Sequence, residues 1–181
     1  MIFENELISG VLIKRYKRFF VDIKVKKKVI TAHCPNTGSM MGLLKKGNKV
    51  WFTKSNDTKR RLKYTLQIIE VNGSKIGVNT HLTNKIFYEA LLSNKIINLK
   101  KTDILFREKQ FNKNTRFDFF IKQKDKGCFI EVKNVTLSRF KNIAEFPDAV
   151  TERGLKHIRE LMEAKKKGFD VYLAFIIQRE D

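Results

Sequence analysis

Two runs decide the fold of the second half of the chain: Arg116-Phe-Asp-Phe-Phe-Ile121 and Cys128-Phe-Ile-Glu-Val-Lys-Asn-Val135. Both are rich in aromatic and β-branched residues, which predicts two strands. Side chains alternate along a strand, so Glu131 and Lys133 share one face while Ile130 and Val132 take the other. A hairpin turning between Lys124 and Asp125 places Asp118 directly opposite Glu131, with Phe117 and Phe119 on the face away from Asp118. Cross-strand neighbours lie about 4.5–5.5 Å apart at Cβ. Two carboxylates at that separation repel unless a cation lies between them, and hard oxygens suit Mg²⁺ or Mn²⁺. A lysine one pleat along can orient a metal-bound water or steady a phosphate. Asp118, Glu131 and Lys133 are therefore the candidate catalytic residues, the first two as metal ligands.

The flanking sequence supplies the rest of a domain. Residues 84–92 read as a helix capped by Asn84, with Ile86, Phe87 and Leu91 as its apolar stripe. Strands are expected over 103–109, 116–121 and 128–135. A second helix, 149–167, takes Asp148 as its cap and Leu155, Ile158, Leu161 and Met162 as its buried stripe. Cationic Lys165 to Lys167 suit its C-terminal dipole, and Gly168 ends it. The apolar run 171–177 reads as a strand covered on both faces. The order is αβββαβ. With Asp118, a spacing of twelve and Glu131-x-Lys133, this order resembles the PD-(D/E)xK nuclease superfamily, a restriction-endonuclease-like fold. That resemblance implies a further acid from the preceding helix, which makes Glu89 a third metal ligand; Glu108, at the end of the first strand, is the alternative. Arg153, Lys156 and His157 lie at i, i+3 and i+4 and form one helix face beside the carboxylates, suited to a phosphate.

The first eighty residues show short strands without helical periodicity, over 7–14, 19–25, 29–33, 49–53, 62–71 and 75–79. Breaks at Gly10, Gly47 and Asn72-Gly73 separate them. Five or six short strands with no long helix suggest a small closed barrel or sandwich. The expected division is 1–82 and 83–181, and the fold class is α+β. Arg15, Lys17, Arg18, Arg60 and Arg61 interleave with Phe19, Phe20, Trp51 and Tyr64 and are the candidate phosphate contacts, while Phe20 and Trp51 are assigned to the core. His33-Cys34 has no second pair at ligand spacing, which argues against zinc.

Charge bounds the function. Lys and Arg total 38 against 19 acidic residues, a net charge of +19 on 181 residues. Residues 1–85 hold 18 basic and 5 acidic side chains, net +13, and residues 86–181 hold 20 and 14, net +6. A field of that sign attracts polyanions and makes nucleic acid the expected partner. Two cysteines far apart argue against a disulfide framework and for the cytoplasm. The longest apolar runs are far short of the roughly 20 residues that span a bilayer. The N-terminus, with Glu4 and Glu6, does not read as a signal peptide.

Taken end to end, the sequence resembles the sugar fermentation stimulation protein A family. The stretches that carry the resemblance include Thr31-Ala-His-Cys-Pro-Asn-Thr-Gly-Ser-Met40, Gly77-Val-Asn-Thr80, Glu131-Val-Lys-Asn-Val-Thr-Leu137 and Ala144-Glu-Phe-Pro-Asp-Ala-Val-Thr-Glu-Arg-Gly154. The resemblance implies an N-terminal OB-like β-barrel, a C-terminal nuclease-like domain, DNA binding and a regulatory link to sugar metabolism. Members of that family continue beyond the position of Asp181.

Overall fold

The computed structural model describes residues 1–99, 104–123 and 126–181, without the side chains of Asn98 and Gln123. The start of the strand expected over 103–109 and the turn residues Lys124 and Asp125 lie outside them. The chain forms two compact units. One comprises Met1–Leu82, Asn134–Ala149 and Ile177–Asp181; the other comprises Thr83–Lys133 and Val150–Ile176.

The first unit is built on β1 (Leu7–Tyr16), β2 (Phe20–Val25), β3 (Lys28–His33), β4 (Lys49–Lys54), β5 (Tyr64–Val71) and β6 (Ser74–Gly77). They form one sheet in the order β3-β2-β1-β4-β5-β6. All these neighbours are antiparallel, while β3 also meets β5 in parallel through His33 and Thr65. The sheet therefore curls over its inner face. Asn72 and Gly73 both take positive φ between β5 and β6, as a tight hairpin turn requires. Leu12, Val21, Ile23, Val50, Phe52, Leu66, Ile69 and Ile76 fill the inside at 0–1% exposure. Burying each contributes roughly 1.5–3 kcal/mol.

Two expectations for this unit change. Trp51 is half-buried rather than core: the ammonium groups of Lys49 and Lys75 lie 4.9 and 5.3 Å from its ring centroid. Phe20 is also half-buried and stacks on Tyr16 at 5.4 Å. Asp148 does not cap a helix. Its Oδ2 accepts from Met40 N at 3.2 Å, and its carbonyl accepts from Ser39 Oγ at 2.8 Å. The Pro35–Ser39 loop thus has a partner within its own unit that competes successfully for the aspartate.

The second unit contains α1 (Thr83–Leu92), β7 (Ile104–Asn112), β8 (Thr115–Gln123), β9 (Lys126–Val135), α2 (Glu152–Lys166) and β10 (Asp170–Ile177). This is the expected αβββαβ order, on a sheet ordered β10-β9-β8-β7. One apolar cluster joins Phe87 and Leu91 of α1 to Phe119, Ile121, Cys128, Ile130 and Val132. The other joins Leu161 and Ala164 of α2 to Phe117 and Phe129.

Phe117 and Phe119 thus lie on opposite faces, not on one. The β7–β8 ladder pairs Arg107 with Phe119 and Lys109 with Phe117, leaving Glu108 and Asp118 between those pairs. Glu108 has φ +52, a left-handed conformation that kinks a strand. Phe119 lies against Phe87, at 5.1 Å between ring centroids, and Phe117 against Phe129, at 5.3 Å.

The second helix also differs from expectation. It starts at Glu152, capped by Thr151, whose Oγ1 accepts from Gly154 N at 3.3 Å. Only Leu161 and Ala164 of α2 are buried, whereas Leu155, Ile158 and Met162 are 50%, 40% and 58% exposed. The helix meets a narrow sheet along one line. Ile158 and Met162 overhang Val171 and Leu173 of β10, the edge strand. The same edge position leaves Tyr172, Phe175 and Ile177 exposed, so β10 is only partly covered on its two faces. Among the described residues no helix is long and apolar enough to cross a membrane.

Candidate functional site

Four elements of the second unit converge on the hairpin. The β8–β9 register pairs Phe119 with Ile130 and Phe120 with Phe129, and the ladder ends there, one residue short of Asp118 and Glu131. At that point a side chain replaces the ladder: Asp118 Oδ2 accepts from Val132 N at 2.7 Å. Its Oδ1 accepts from Asn84 Nδ2 at 2.8 Å. Asn84, expected as a cap, lies inside α1 because the helix begins one residue earlier, at Thr83. Its amide is free to orient the aspartate.

Glu131 is 3% exposed. A carboxylate so far from water needs cationic or hydrogen-bonding partners. Lys133 Nζ donates to Oε1 at 2.5 Å, and His157 Nδ1 of α2 bonds the same oxygen. Glu131 Oε2 is buried and has no hydrogen-bond partner among the described residues. Glu131 is therefore half satisfied: one oxygen carries both donors and the other carries none.

His157 has a partner that sequence spacing did not assign. Expected beside Arg153 and Lys156 as a phosphate contact, it bonds Glu131. Lys156 Nζ donates to Asn114 O at 2.9 Å, and Arg153 is exposed on the first turn of α2. His157 and Lys156 thus reach different partners, Glu131 in β9 and Asn114 in the β7–β8 turn. The i+4 spacing from Arg153 was legible; the partner of His157 depends on where α2 lands. Glu89 is half-buried on α1. No group of three or more His, Cys, Asp or Glu side chains suited to a metal is present among the described residues. Asp118, Glu131 and Glu89 are thus not gathered into one. Glu108 pairs with Arg116 Nε at 3.0 Å.

The basic residues of the first unit divide by role. Arg15 donates to the carbonyls of Arg18, at 3.0 Å, and Asn36, at 2.8 Å, so its guanidinium ties the β1–β2 turn to the Pro35–Ser39 loop. Lys17 and Arg18 are exposed in that turn, both at positive φ. Arg61 is exposed, and Arg60 lies 3.4 Å from His33 Nδ1. Burial, then Arg60, then His81 hold the His33 pKa below its ordinary 6.5. Burial raises the Cys34 thiol, and burial followed by Asp170 pushes Cys128 up to about 12. Both cysteines are free and buried, chemistry that suits packing better than a thiolate ligand.

Comparison with known proteins places this arrangement in a family. The family described as "Sugar fermentation stimulation protein RE domain" matches residues 81–181, and "SfsA N-terminal OB domain" matches residues 13–78. The chain belongs to the sugar fermentation stimulation protein family. A homologue of that protein from Pelagibacter ubique is 53% identical over 180 residues, covering 99% of this chain and 78% of the relative. The homologue from Sinorhizobium medicae is 40% identical over 183 residues, covering all of this chain and 77% of its own length. Among solved structures, SfsA of Pyrococcus furiosus in complex with Ca²⁺ is similar, with a TM-score of 0.88 and 25% identity over 98% of this chain and 75% of that one. The fold is therefore that of the SfsA family: an OB-like sheet followed by an α+β domain of restriction-endonuclease type.

Proposed function

We propose that the chain binds DNA through its basic first unit and holds a divalent cation at Asp118 and Glu131 in its second. The observation that carries the cation site is Glu131 Oε2, buried and without a hydrogen-bond partner. Leaving such an atom empty costs free energy, and a hard cation satisfies it without a proton. The donor set fits: Asp118 lies across the hairpin and both groups offer carboxylate oxygens, which suit Mg²⁺, Mn²⁺ or Ca²⁺. The relative from Pyrococcus furiosus was solved with Ca²⁺, which supports the same chemistry here. Asn84 and the Val132 amide hold the Asp118 carboxylate in place, and His157 holds that of Glu131. DNA as the partner is supported by the net charge of +19, of which residues 1–85 carry +13. Two free, buried cysteines suit a reducing cytoplasm. In this proposal the family's link to sugar fermentation runs through DNA binding.

A second reading, hydrolysis of DNA phosphodiesters, is favoured by Lys133, whose ammonium lies on the same carboxylate at 2.5 Å. A bound cation would supply Lewis-acid polarisation of a phosphate and a more acidic water. Lys133 would orient the attacking water or stabilise charge on the phosphate.

Calorimetry with Mn²⁺ tests the site. The wild type should bind, and Asp118→Asn and Glu131→Gln should not, with thermal melts confirming that both are folded. Equal binding by all three rules the site out. For hydrolysis, Lys133→Ala should keep Mn²⁺ and most DNA affinity while losing about 10²-fold or more in cleavage rate. A wild type that binds Mn²⁺ and DNA yet cuts no single-stranded, duplex or branched substrate leaves binding as the function.

A further inference from the structure

The first unit contains a cavity that neither the DNA surface nor the cation site uses. It has a volume of about 720 Å³ and is lined by Ile8, Val25, Ile30, Phe52 and Tyr64. That size falls inside the roughly 300–1,000 Å³ of small-molecule sites. Its floor is the core itself: Phe52 is 1% exposed, and the other four are partly buried residues packed against the same cluster. Ile8 and Phe52 are paired across β1 and β4, and Phe52 meets Tyr64 edge-on at 5.4 Å. The wall is therefore built from strands, not from a loose loop.

Lys26, Lys27 and Lys28 complete the lining. They form the β2–β3 turn, with Lys26 at φ +53. All three are exposed, and among the described residues none is in an ion pair. This turn is at the opposite end of the β1–β2 hairpin from Lys17 and Arg18. An open apolar pocket lined in part by three lysines that have no ion-pair partner among the described residues matches one kind of molecule: an apolar body ending in a single anion.

We propose that this cavity binds an amphipathic carboxylate, its hydrocarbon chain between Ile8, Ile30 and Phe52 and its acid group at Lys26 to Lys28. A nucleobase fits the walls poorly. Its amino and carbonyl groups would enter an aliphatic and aromatic lining with few polar partners, and burying them unpaired costs free energy. A hydrocarbon chain carries no such cost and gains by leaving water.

Decanoate is the probe, titrated calorimetrically into the full chain at pH 7, where a carboxylic acid is ionised. Saturable binding below the micellar range is the expected result. Lys26→Glu with Lys28→Glu should weaken decanoate by about tenfold or more, while 1-decanol, lacking the charge, should change by no more than about twofold. Both lysines are exposed, so their substitution leaves the core untouched, and a thermal melt verifies this. Ile30→Trp should block both ligands by filling the chamber; Val25→Phe serves if that variant does not fold. No saturable decanoate binding overturns the proposal, as does equal binding by the charge-reversed and wild-type chains. Displacement of bound decanoate by a ten-residue oligothymidylate overturns it in favour of a nucleic-acid subsite. Each of these outcomes leaves Mn²⁺ binding at Asp118 and Glu131 unaffected.

Discussion

At Glu131 a negative charge is held at 3% exposure by Lys133 and His157 acting on one oxygen. The neighbouring aspartate is managed differently, by neutral donors from Asn84 and the Val132 amide. Removing one partner of a buried charge is costlier than removing the pair, because the remaining charge stays desolvated. A different residue makes the first unit sensitive to pH. His33 titrates below its ordinary 6.5, chiefly through burial and then through Arg60 and His81. A depressed histidine pKa means that folding favours the neutral ring. Its contribution is fully present above pH 6.5 and is lost as pH falls through the lower folded value. Melting temperature should therefore drop between pH 7 and pH 5, and His33→Gln should flatten that dependence. An unchanged slope in the variant would assign the pH dependence to other groups.

At the scale of elements, helical and strand periodicity located α1, α2 and the four strands of the second unit, but their ends were set by tertiary partners. Asp148 reads as a cap because an acidic residue precedes a helical pattern; Met40 N and Ser39 Oγ take it instead. The cap passes to Thr151, three residues on. Thr151→Ala should cost about 1 kcal/mol, read as a lower midpoint in denaturant with an unchanged slope. A loss far below that would mean that Gly154 N finds another acceptor. The separation of Phe117 and Phe119 is the clearest case of an invisible feature. Alternation along Phe117, Asp118 and Phe119 fits a regular strand perfectly well, and only their different packing partners show that the two rings separate.

Across the whole molecule, the dominant quantity is the charge of +19. If it drives association, the logarithm of DNA affinity should fall linearly with the logarithm of salt concentration, by about 0.9 per phosphate neutralised on duplex DNA. Lys17→Ala, an exposed position, should reduce that slope by about 1 and weaken all sequences alike. Filter binding or fluorescence anisotropy from 50 to 300 mM salt on the order of the usual range reads both effects. Affinity independent of salt would sink the electrostatic account. The two compact units are not simple consecutive halves, since Asn134–Ala149 and Ile177–Asp181 return to the first. Hydropathy and turn signals along a chain are local, and such returns leave no local mark.

The sequence by itself determined the α+β class, the αβββαβ order, the excess of positive charge and the β8–β9 register from Phe119–Ile130 to the turn. Those properties follow from alternation, helical period, turn chemistry and counting, all of which act over a few residues. Only the tertiary structure decided that His157 reaches Glu131, that Asn84 holds Asp118, that Glu89 stays out of a three-ligand group and that Trp51 lies between two lysines. Each of these depends on where one element lands on another, and packing, not sequence spacing, chooses between side chains that are equally able to make the contact.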